Sequence, residues 1–184
     1  MKKLTFDKIN KTRCLTLKEL KKLNRNPITV VCENIRSLYN VGSIFRTMDG
    51  IRGEKLYLCG YTGHPPRKEI DKVALGAVES VPWEYERDTF KVINRLKGEG
   101  VKIIALEHTD ISLDFQKFQY KFPLAVVLGN EYDGISDEVV KHCDYSVEIP
   151  MHGIKQSLNV ATAFGVIAYE VLRQLNLLSG KEII

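Results

Sequence analysis

Short apolar runs alternate along the chain with stretches in which apolar and charged positions follow helical spacing. The apolar runs have the length of strands, are rich in β-branched residues, and cover 28–32, 55–59, 101–106, 124–128 and 145–149. Helical spacing predicts helices over 15–23, 44–50, 88–97, 136–142 and 158–175. Apolar strands that alternate with helices are typical of a mainly parallel sheet with helices covering both faces. We therefore predict an α/β fold.

The segments between these elements predict a single domain. We expect 34–40 to form a polar loop and 60–69, which contains Gly63-His-Pro-Pro66, to form an irregular loop. No internal repeat interrupts the pattern, and 184 residues of which 44% are hydrophobic suit one domain with its own core. We predict this domain over 28–184, preceded by a basic N-terminal helical extension over 1–27.

Positive charge is concentrated at the start of the chain. The whole sequence has 27 Lys and Arg against 23 Asp and Glu, a formal net charge of +4. Within the first 25 residues two acidic residues oppose nine basic ones, namely Lys2, Lys3, Lys8, Lys11, Arg13, Lys18, Lys21, Lys22 and Arg25. A solvated surface helix explains this pattern. An arm that contacts phosphates explains it equally well, because Lys and Arg bind polyanions by releasing counterions.

Composition disfavours several classes of protein. No apolar run approaches the ~18 residues of a membrane-spanning helix, and the first ten residues lack the apolar core of a signal peptide. We therefore expect a cytoplasmic protein with no membrane partner. Because the four cysteines form no C-x-x-C pair and the four histidines have no zinc-ligand spacing, we expect free thiols and no metal site.

Polar clusters at 33–46, 129–134 and 150–159 follow predicted strands. In an open α/β sheet, ligands bind at the carboxyl ends of the strands, so these clusters mark the candidate site. The familiar nucleotide motifs do not occur there. No G-x-G-x-x-G follows the first strand, and Ile135-Ser136 stands where a P-loop needs Lys followed by Ser or Thr. The sequence also contains no G-x-S-x-G, which disfavours a serine hydrolase.

Three motifs within these clusters carry a resemblance to a known family. They are Asn40-x-Gly42-x-x-x-Arg46, Leu128-Gly-Asn-Glu131-x-x-Gly134-Ile, and Ile149-Pro-Met-x-Gly153-x-x-x-Ser157-Leu-Asn159-Val-x-x-Ala163. Together they resemble the signature motifs of the SpoU/TrmH group of SPOUT RNA methyltransferases, in family order and across nearly the whole chain. The resemblance implies S-adenosylmethionine-dependent methylation of a ribose 2′-hydroxyl in tRNA or rRNA. It also implies a homodimer and a C-terminal deep trefoil knot.

The resemblance, together with positions at strand ends, gives roles to individual residues. We expect catalytic roles for Arg46, Asn40, Glu131, Ser157 and Asn159, with Glu131 orienting Arg46 or Asn40. The expected cofactor contacts are Glu107, Leu128, Gly129, Asn130, Ile149, Met151, Ser157 and Leu158. Glu107 belongs to this group because a carboxylate suits the diol of the cofactor ribose. The expected RNA contacts are Asn34, Arg36 and Lys155.

Some of these residues also have ordinary structural explanations. Gly129 suits a tight turn after a buried strand, Ser157 and Asn159 are good N-caps for the last helix, and Arg46 suits a solvated helix face. Neutralising an arginine at pH 7 means crossing at least ~5 pK units, about 7 kcal/mol. We therefore expect Arg46 to stabilise the developing alkoxide and the adjoining phosphate electrostatically.

Two other functional classes remain as alternatives. One is a catalytically silent RNA-binding protein on the same scaffold, although binding alone does not require Asn40, Arg46, Glu131, Ser157 and Asn159 together. The other is a Rossmann-like metabolic enzyme, which would lack its glycine fingerprint. Cofactor binding followed by methyl transfer to RNA separates the three.

Overall fold

The computed structural model of the protein describes residues 3–179. The helices in this range are α1 (Phe6–Arg13), α2 (Leu17–Leu20), α3 (Leu38–Gly50), α4 (Lys68–Ala74), α5 (Ala77–Ser80), α6 (Thr89–Gly98), α7 (Asp137–His142) and α8 (Val160–Leu178). The strands are β1 (Asn26–Glu33), β2 (Gly53–Cys59), β3 (Trp83–Glu86), β4 (Lys102–Leu106), β5 (Leu113–Asp114), β6 (Leu124–Leu128) and β7 (Tyr145–Glu148). Lys2 of the basic segment and 180–184 of the predicted domain lie outside the described residues.

All seven strands form one parallel sheet, in the order β3-β2-β1-β6-β4-β7-β5. The chain builds β1, β2 and β3 outward in one direction and then crosses to β4 on the other side. The later strand β6 fills the place between β1 and β4, pairing Val30 with Val126 and Ile104 with Val126. The predicted single α/β domain with a parallel sheet is confirmed.

Helices cover both faces because successive side chains of each strand point to opposite sides. Val30 and Cys32 pack on the face that carries α3, α4 and α8, together with Phe45 and Phe164, all fully buried. Val31 points the other way, into a second cluster with residues of α6 and α7. Since both faces are apolar, the strands appear in the sequence as continuous apolar runs rather than as alternating ones.

The N-terminal segment differs in detail from its prediction. The expected helix over 15–23 is only the single turn α2, which Thr16 and Glu19 close with a capping box and which has no buried residue. A separate helix, α1, precedes it, and β1 begins at Asn26, two residues before the expected start of the domain. The guanidinium of Arg25 donates to the carbonyls of Gly53 and Ser80, at 3.1 and 2.6 Å. This basic residue therefore fastens the segment to the sheet, whereas the division at residue 27 stays a prediction.

The cysteines are free thiols, as expected, with Cys14 exposed and Cys32 and Cys59 buried on adjacent strands. Burial raises the pKa of Cys32 well above its usual value and that of Cys59 to about 12. Burial likewise raises the pKa of Cys143 to about 12. These three are core thiols rather than nucleophiles. Within the described part of the chain, no helix is both long enough and apolar enough to cross a membrane.

Candidate active site

Segments that follow β4, β6 and β7 meet at the carboxyl edge of the sheet and enclose a cavity of about 700 Å³. Its wall comprises 106–108, 128–134, 148–149 and 156–160, with Ala163 on the first turn of α8. Cavities for small molecules typically measure ~300–1,000 Å³. Two of the three predicted polar clusters, 129–134 and 150–159, thus contribute to the wall of one cavity. The cavity lies at the carboxyl end of β6, the strand that separates β1 from β4.

The loop after β6 folds back so tightly that its first residue must be glycine. Asn130 and Gly134 exchange two backbone hydrogen bonds, of 2.9 and 3.0 Å. A Cβ on Gly129 would lie 2.2 Å from backbone atoms of Gly134 and Ile135, closer than real contacts allow. Gly134 has a φ of +69°, in the left-handed region that favours glycine. The turn explanation of Gly129 is therefore correct, and the same turn places 129–134 in the cavity wall.

Glu107 braces this loop from the end of β4. One carboxylate oxygen accepts the backbone N–H of Ile135 at 2.9 Å, and the other accepts that of His108 at 2.9 Å. A Cβ on Gly134 would lie 2.3 Å from the first oxygen and would displace the Glu107 carboxylate, in addition to the strain that the positive φ of this residue imposes on any other side chain. A carboxylate has about four acceptor positions. Glu107, which lines the cavity, therefore keeps the capacity to accept a ligand hydroxyl.

Asn130 and Asn34 join neighbouring loops. Nδ2 of Asn130 donates to the backbone oxygen of Asn34 at 3.0 Å and to the hydroxyl of Tyr61 at 2.8 Å. Its Oδ1 accepts the N–H groups of Tyr132 and Asp133, at 2.8 and 3.1 Å. Oδ1 of Asn34 in turn accepts the N–H of Tyr61 at 3.1 Å. The protein itself thus uses both donors and both acceptor positions of the Asn130 amide.

Glu131 ties the first motif to the second. Its carboxylate accepts the backbone N–H groups of Arg36 and Ser37, at 2.9 and 3.0 Å, and Nδ2 of Asn40 at 2.7 Å. Partial burial alone would raise the Glu131 pKa, but these three donors outweigh it, and the pKa lies below its ordinary value of 4.5. Of the two partners expected from the sequence, Glu131 therefore binds Asn40 and not Arg46.

Asn159 ties the third motif to the first. Its Nδ2 donates to Oδ1 of Asn40 at 3.1 Å. Its Oδ1 accepts the N–H groups of Ala161 and Thr162, at 3.0 and 3.3 Å, so it caps the N-terminus of α8 as the sequence suggested. Glu131, Asn40 and Asn159 form a continuous chain of hydrogen bonds across all three motifs. We call this chain the motif bridge.

The three motifs lie within a region that matches a known protein family. The family model for SpoU rRNA methylases matches residues 27–169, which include all three motifs.

The protein belongs to the SpoU rRNA methylase family.

Relatives of this SpoU family member include enzymes of known class. It is 31% identical over 163 residues to a tRNA (guanosine(18)-2′-O)-methyltransferase of Aquifex aeolicus. The aligned region covers 88% of this chain and 76% of that relative. The crystal structure of the A. aeolicus TrmH/SpoU tRNA modifying enzyme matches with a TM-score of 0.80 at 31% identity, over 89% of this chain and 84% of that one. An AdoMet-bound rRNA methyltransferase from Sinorhizobium meliloti matches with a TM-score of 0.77 at 28% identity, over 85% and 60%. The family predicted from the motifs is confirmed.

The other predicted residues of this SpoU family chain divide between the cavity and its surroundings. Leu128, Ile149, Ser157 and Leu158 line the cavity. Met151 is half-buried outside the lining, and Arg36 and Lys155 are exposed outside it.

Arg46 does not line the cavity of the single chain. It is exposed on α3, six residues after Asn40, and a helix turns about 100° per residue. The two side chains therefore leave the helix about 120° apart. Among residues 3–179 the Arg46 guanidinium has no hydrogen-bond or ion-pair partner, so its charge is available to something outside this chain.

The sequence interpretation gave no individual role to four residues around the site, namely His108, Tyr132, Tyr61 and Glu33. His108 lies between Oε2 of Glu148 and the carbonyl of Gln156, with 3.1 Å to each ring nitrogen. Its position directly after Glu107, at the end of a strand, was the available signal. Tyr132 lines the cavity, and Tyr61 holds Asn130. No pattern in the sequence distinguishes these two tyrosines from ordinary loop residues.

Glu33 was likewise passed over, although it ends a buried strand. It is 5% exposed, and its two oxygens accept the backbone N–H and the hydroxyl of Ser136, both at 2.9 Å. Ser136, where the predicted helix over 136–142 begins, is the N-cap residue of α7, but its hydroxyl bonds to Glu33 instead of capping the helix. Over the described range, no group of three or more His, Cys, Asp or Glu side chains is arranged to hold a metal ion.

Proposed function

We propose that the protein transfers a methyl group from S-adenosylmethionine to a ribose 2′-hydroxyl of tRNA or rRNA. The observation that carries this proposal is the motif bridge, which links the three family motifs beside one cavity. A relative named as a tRNA 2′-O-methyltransferase and a structural neighbour named as an AdoMet-bound rRNA methyltransferase support the reaction and both RNA classes. The cytoplasm, where we expect such RNA substrates, is the compartment that we propose.

The residues of the cavity suit this cofactor. Apolar Leu128, Ile149 and Leu158 offer a surface for the adenine, and Glu107 keeps acceptor capacity for a ribose hydroxyl. Gly129 and Ser157 complete the proposed contacts in the wall. We propose that Asn130 acts by holding the loop, since its amide is fully bonded to protein, and we keep Met151 as a predicted contact of the segment after Ile149. When bound, S-adenosylmethionine supplies an electrophilic methyl group on a sulfonium that leaves readily.

The protein's own part in the reaction is to orient the ribose and to stabilise charge. Glu131 and Asn159 hold Asn40 between them, which fixes the start of α3 against the start of α8. We assign Ser157, which is exposed in the cavity wall, a hydrogen bond to the target hydroxyl. The guanidinium of Arg46 stabilises the negative charge that develops on the ribose oxygen as it takes the methyl group and the bond from that methyl to sulfur breaks. The hydroxyl proton passes to the adjoining phosphate or to water, and the cofactor leaves as its thioether. Alignment of the reacting atoms supplies the remainder of the acceleration.

We propose that two copies of the chain form a homodimer through α8. Val166, Tyr169 and Leu177 are 38%, 56% and 62% exposed, and their spacing places them along one side of this helix, which also carries Arg173, ion-paired with Glu170. Three exposed apolar side chains around one ion pair suit burial against a second copy. The RNA then lies across both protomers, where Asn34, Arg36, Lys155 and the unpartnered Arg46 contact it.

We also propose that the C-terminal part of the chain forms a deep trefoil knot. In support, the segment after β7 is bonded to the segment after β4, through the ring of His108 and the carbonyl of Gln156. The segment between β5 and β6 contacts α8, where the amide of Gln174 donates to the carbonyl of Phe118 at 2.9 Å and accepts the N–H of Tyr120 at 3.2 Å. A crystal structure whose chain trace is tested for knotting decides this, and an unknotted path would contradict it.

Calorimetry and methyl transfer together test the proposed reaction. We expect S-adenosylmethionine to bind with one site per chain, and the labelled methyl group to appear on ribose in unmodified tRNA or rRNA transcripts. Asn159→Ala breaks the motif bridge, and it should lower transfer much more than cofactor affinity. Cofactor binding without transfer to either RNA would instead favour the catalytically silent RNA-binding protein.

A further inference from the structure

Tyr132 is unusually exposed for an aromatic residue in a cavity wall. Its side chain is 82% exposed, yet it contributes to the lining of the proposed active site. Within residues 3–179 its hydroxyl has no hydrogen-bond partner, and its ring contacts the exposed side chain of Arg36. A tyrosine ring at the mouth of a site is suited to stacking against a planar group of a ligand.

The loop under this ring is held firmly. The N–H of Tyr132 donates to Oδ1 of Asn130 at 2.8 Å, and the neighbouring Glu131 carboxylate accepts the N–H groups of Arg36 and Ser37. The same glutamate therefore fixes the backbone on both sides of the contact between Tyr132 and Arg36. Because the backbone of this loop is already ordered, binding of a ligand on the ring costs little further conformational entropy of the loop.

Arg36 extends the surface that Tyr132 offers. Its Cζ lies 5.6 Å from the centre of the Tyr132 ring, the geometry of a cation–π contact. Arg36 is exposed, and among the described residues its guanidinium has no carboxylate partner. A planar cation beside an aromatic ring is a combination that stacks on nucleic acid bases.

The surroundings favour a base over an apolar protein partner or a bare phosphate. Glu131 and Asp133 flank Tyr132 in the sequence, so the ring is not part of an apolar patch. Their carboxylates disfavour a phosphate at the ring itself. Two more exposed tyrosines, Tyr39 and Tyr61, lie on adjoining segments of the same edge, and Asn130 bonds directly to the hydroxyl of Tyr61.

We propose that Tyr132 and Arg36 form a stacking platform for an unpaired base of the substrate RNA at the mouth of the cavity. This inference rests on the proposed function, and it adds the means by which a nucleotide is held next to the reacting centre. The base packs on the ring face that Arg36 leaves open, and the guanidinium supplies charge to the adjoining backbone. The platform selects unpaired nucleotides, since a base inside a duplex has no free face.

Substitutions at Tyr132 test the platform by RNA binding and by kinetics. Loss of one base–aromatic stack corresponds to about 5- to 160-fold in affinity. We expect Tyr132→Ala to raise the Kd for fluorescein-labelled, unmodified tRNA transcripts, measured by anisotropy, by a factor in this range. KM for RNA should rise much more than kcat falls, and calorimetric affinity for S-adenosylmethionine should stay within about threefold. Tyr132→Phe should restore binding and Tyr132→Leu should not, because a structural role would accept either apolar side chain.

Arg36 provides the second arm of the test. Arg36→Lys keeps the charge and loses the plane, so we expect weaker binding than in wild type, whereas a residue that contacts only phosphate would tolerate lysine. Arg87→Lys, directly after the edge strand β3, is the matched control for replacing an exposed arginine by lysine and should bind normally. An unchanged RNA Kd in Tyr132→Ala overturns the platform. If wild type binds RNA but transfers no methyl group, the proposed function fails while the binding comparison still decides the platform.

Discussion

At the scale of single residues, the carboxylate of Glu131 joins the second motif to the start of α3. Three donors bond to its ionised form and hold its pKa below 4.5. Because the pKa in the folded state lies below that in the unfolded state, its contribution to stability is complete above the unfolded pKa. That contribution is lost as pH falls through the lowered folded pKa.

We predict that Glu131→Gln is less stable than wild type at pH 7 by about 1 kcal/mol, a value discounted for partial exposure of the carboxylate. Its free energy of unfolding should also fall less steeply than that of wild type between about pH 5 and pH 3. Urea denaturation at several pH values measures both quantities. Glu138→Gln, an exposed carboxylate on α7, is the control, and identical pH slopes for wild type and Glu131→Gln would contradict the assigned pKa shift.

Arg46 is the residue on which the proposed chemistry depends. We predict that Arg46→Lys lowers kcat for methyl transfer at least about tenfold, because an ammonium lacks the fork that holds an alkoxide and a phosphate together. Calorimetry should show unchanged affinity for S-adenosylmethionine, since Arg46 lies outside the cavity lining.

Arg87→Lys is the matched control for this substitution, since Arg87 is exposed just after β3, at the far edge of the sheet. It should leave kcat at the wild-type value. Near-normal turnover in Arg46→Lys would remove Arg46 from the reacting centre.

At the scale of elements, the contact between α3 and α4 explains a glycine of the first motif. A Cβ on Gly42 would lie 2.7 Å from the carbonyl oxygen of Ile70 and 2.9 Å from Cβ of Val73. Both obstacles belong to the framework of α4, so they cannot move aside by a side-chain rotation. The glycine lets the two helices pack closely, while Asn40 on the same helix bonds to Glu131 and Asn159.

We predict that Gly42→Ala destabilises the protein by about 1–3 kcal/mol, the usual cost of overpacking. Gly98→Ala is the matched control, because Gly98 is also helical and nothing lies within 4 Å of its added Cβ. That substitution should be neutral or should stabilise by up to about 1 kcal/mol. Urea denaturation compares the two variants, and equal losses would mean that the close contact with α4 is not the cause.

The elements also show how far the sequence could be interpreted. The run 124–128 is β6 without any change of bounds, because a strand buried on both faces is apolar throughout. Trp83-Glu-Tyr-Glu86 was missed because β3 is a half-exposed edge strand that pairs only with β2. The predicted irregular loop ends earlier than expected, since α4 begins at Lys68 and buries only Ile70 and Ala74. Two buried apolar positions are too few to show the 3.6-residue period of a helix in the sequence.

The site was predictable where it follows from strand ends. Glu107, Gly129 and Ile149 each end or follow a parallel strand, and all three line one cavity. The position of Arg46 relative to that cavity was not predictable, because it depends on the rotation of α3 about its axis and on the assembly. Tyr132 and His108 owe their positions to loop conformations that no periodicity encodes.

At the scale of the whole molecule, the exposed apolar side chains on α8 predict a dimer. We expect sedimentation equilibrium to give twice the mass of the chain, and Val166→Asp to shift it to the monomer, because a buried unpaired charge is costly. Methyl transfer should fall with dissociation. Leu178→Asp is the control on the same helix, since Leu178 is 73% exposed about 120° away from Val166. A wild-type monomer that is fully active would contradict the homodimer.

The sheet order has a consequence for synthesis of the protein on the ribosome. The central slot between β1 and β4 is filled by β6, which leaves the ribosome after both of its neighbours. Until residues 124–128 emerge, the nascent β1 has an open edge of unpaired, apolar backbone, a template for wrong pairing with other chains. A nascent chain stalled before that point should therefore need chaperone protection, and the cofactor cavity, which is built from still later segments, is among the last parts of the molecule to form.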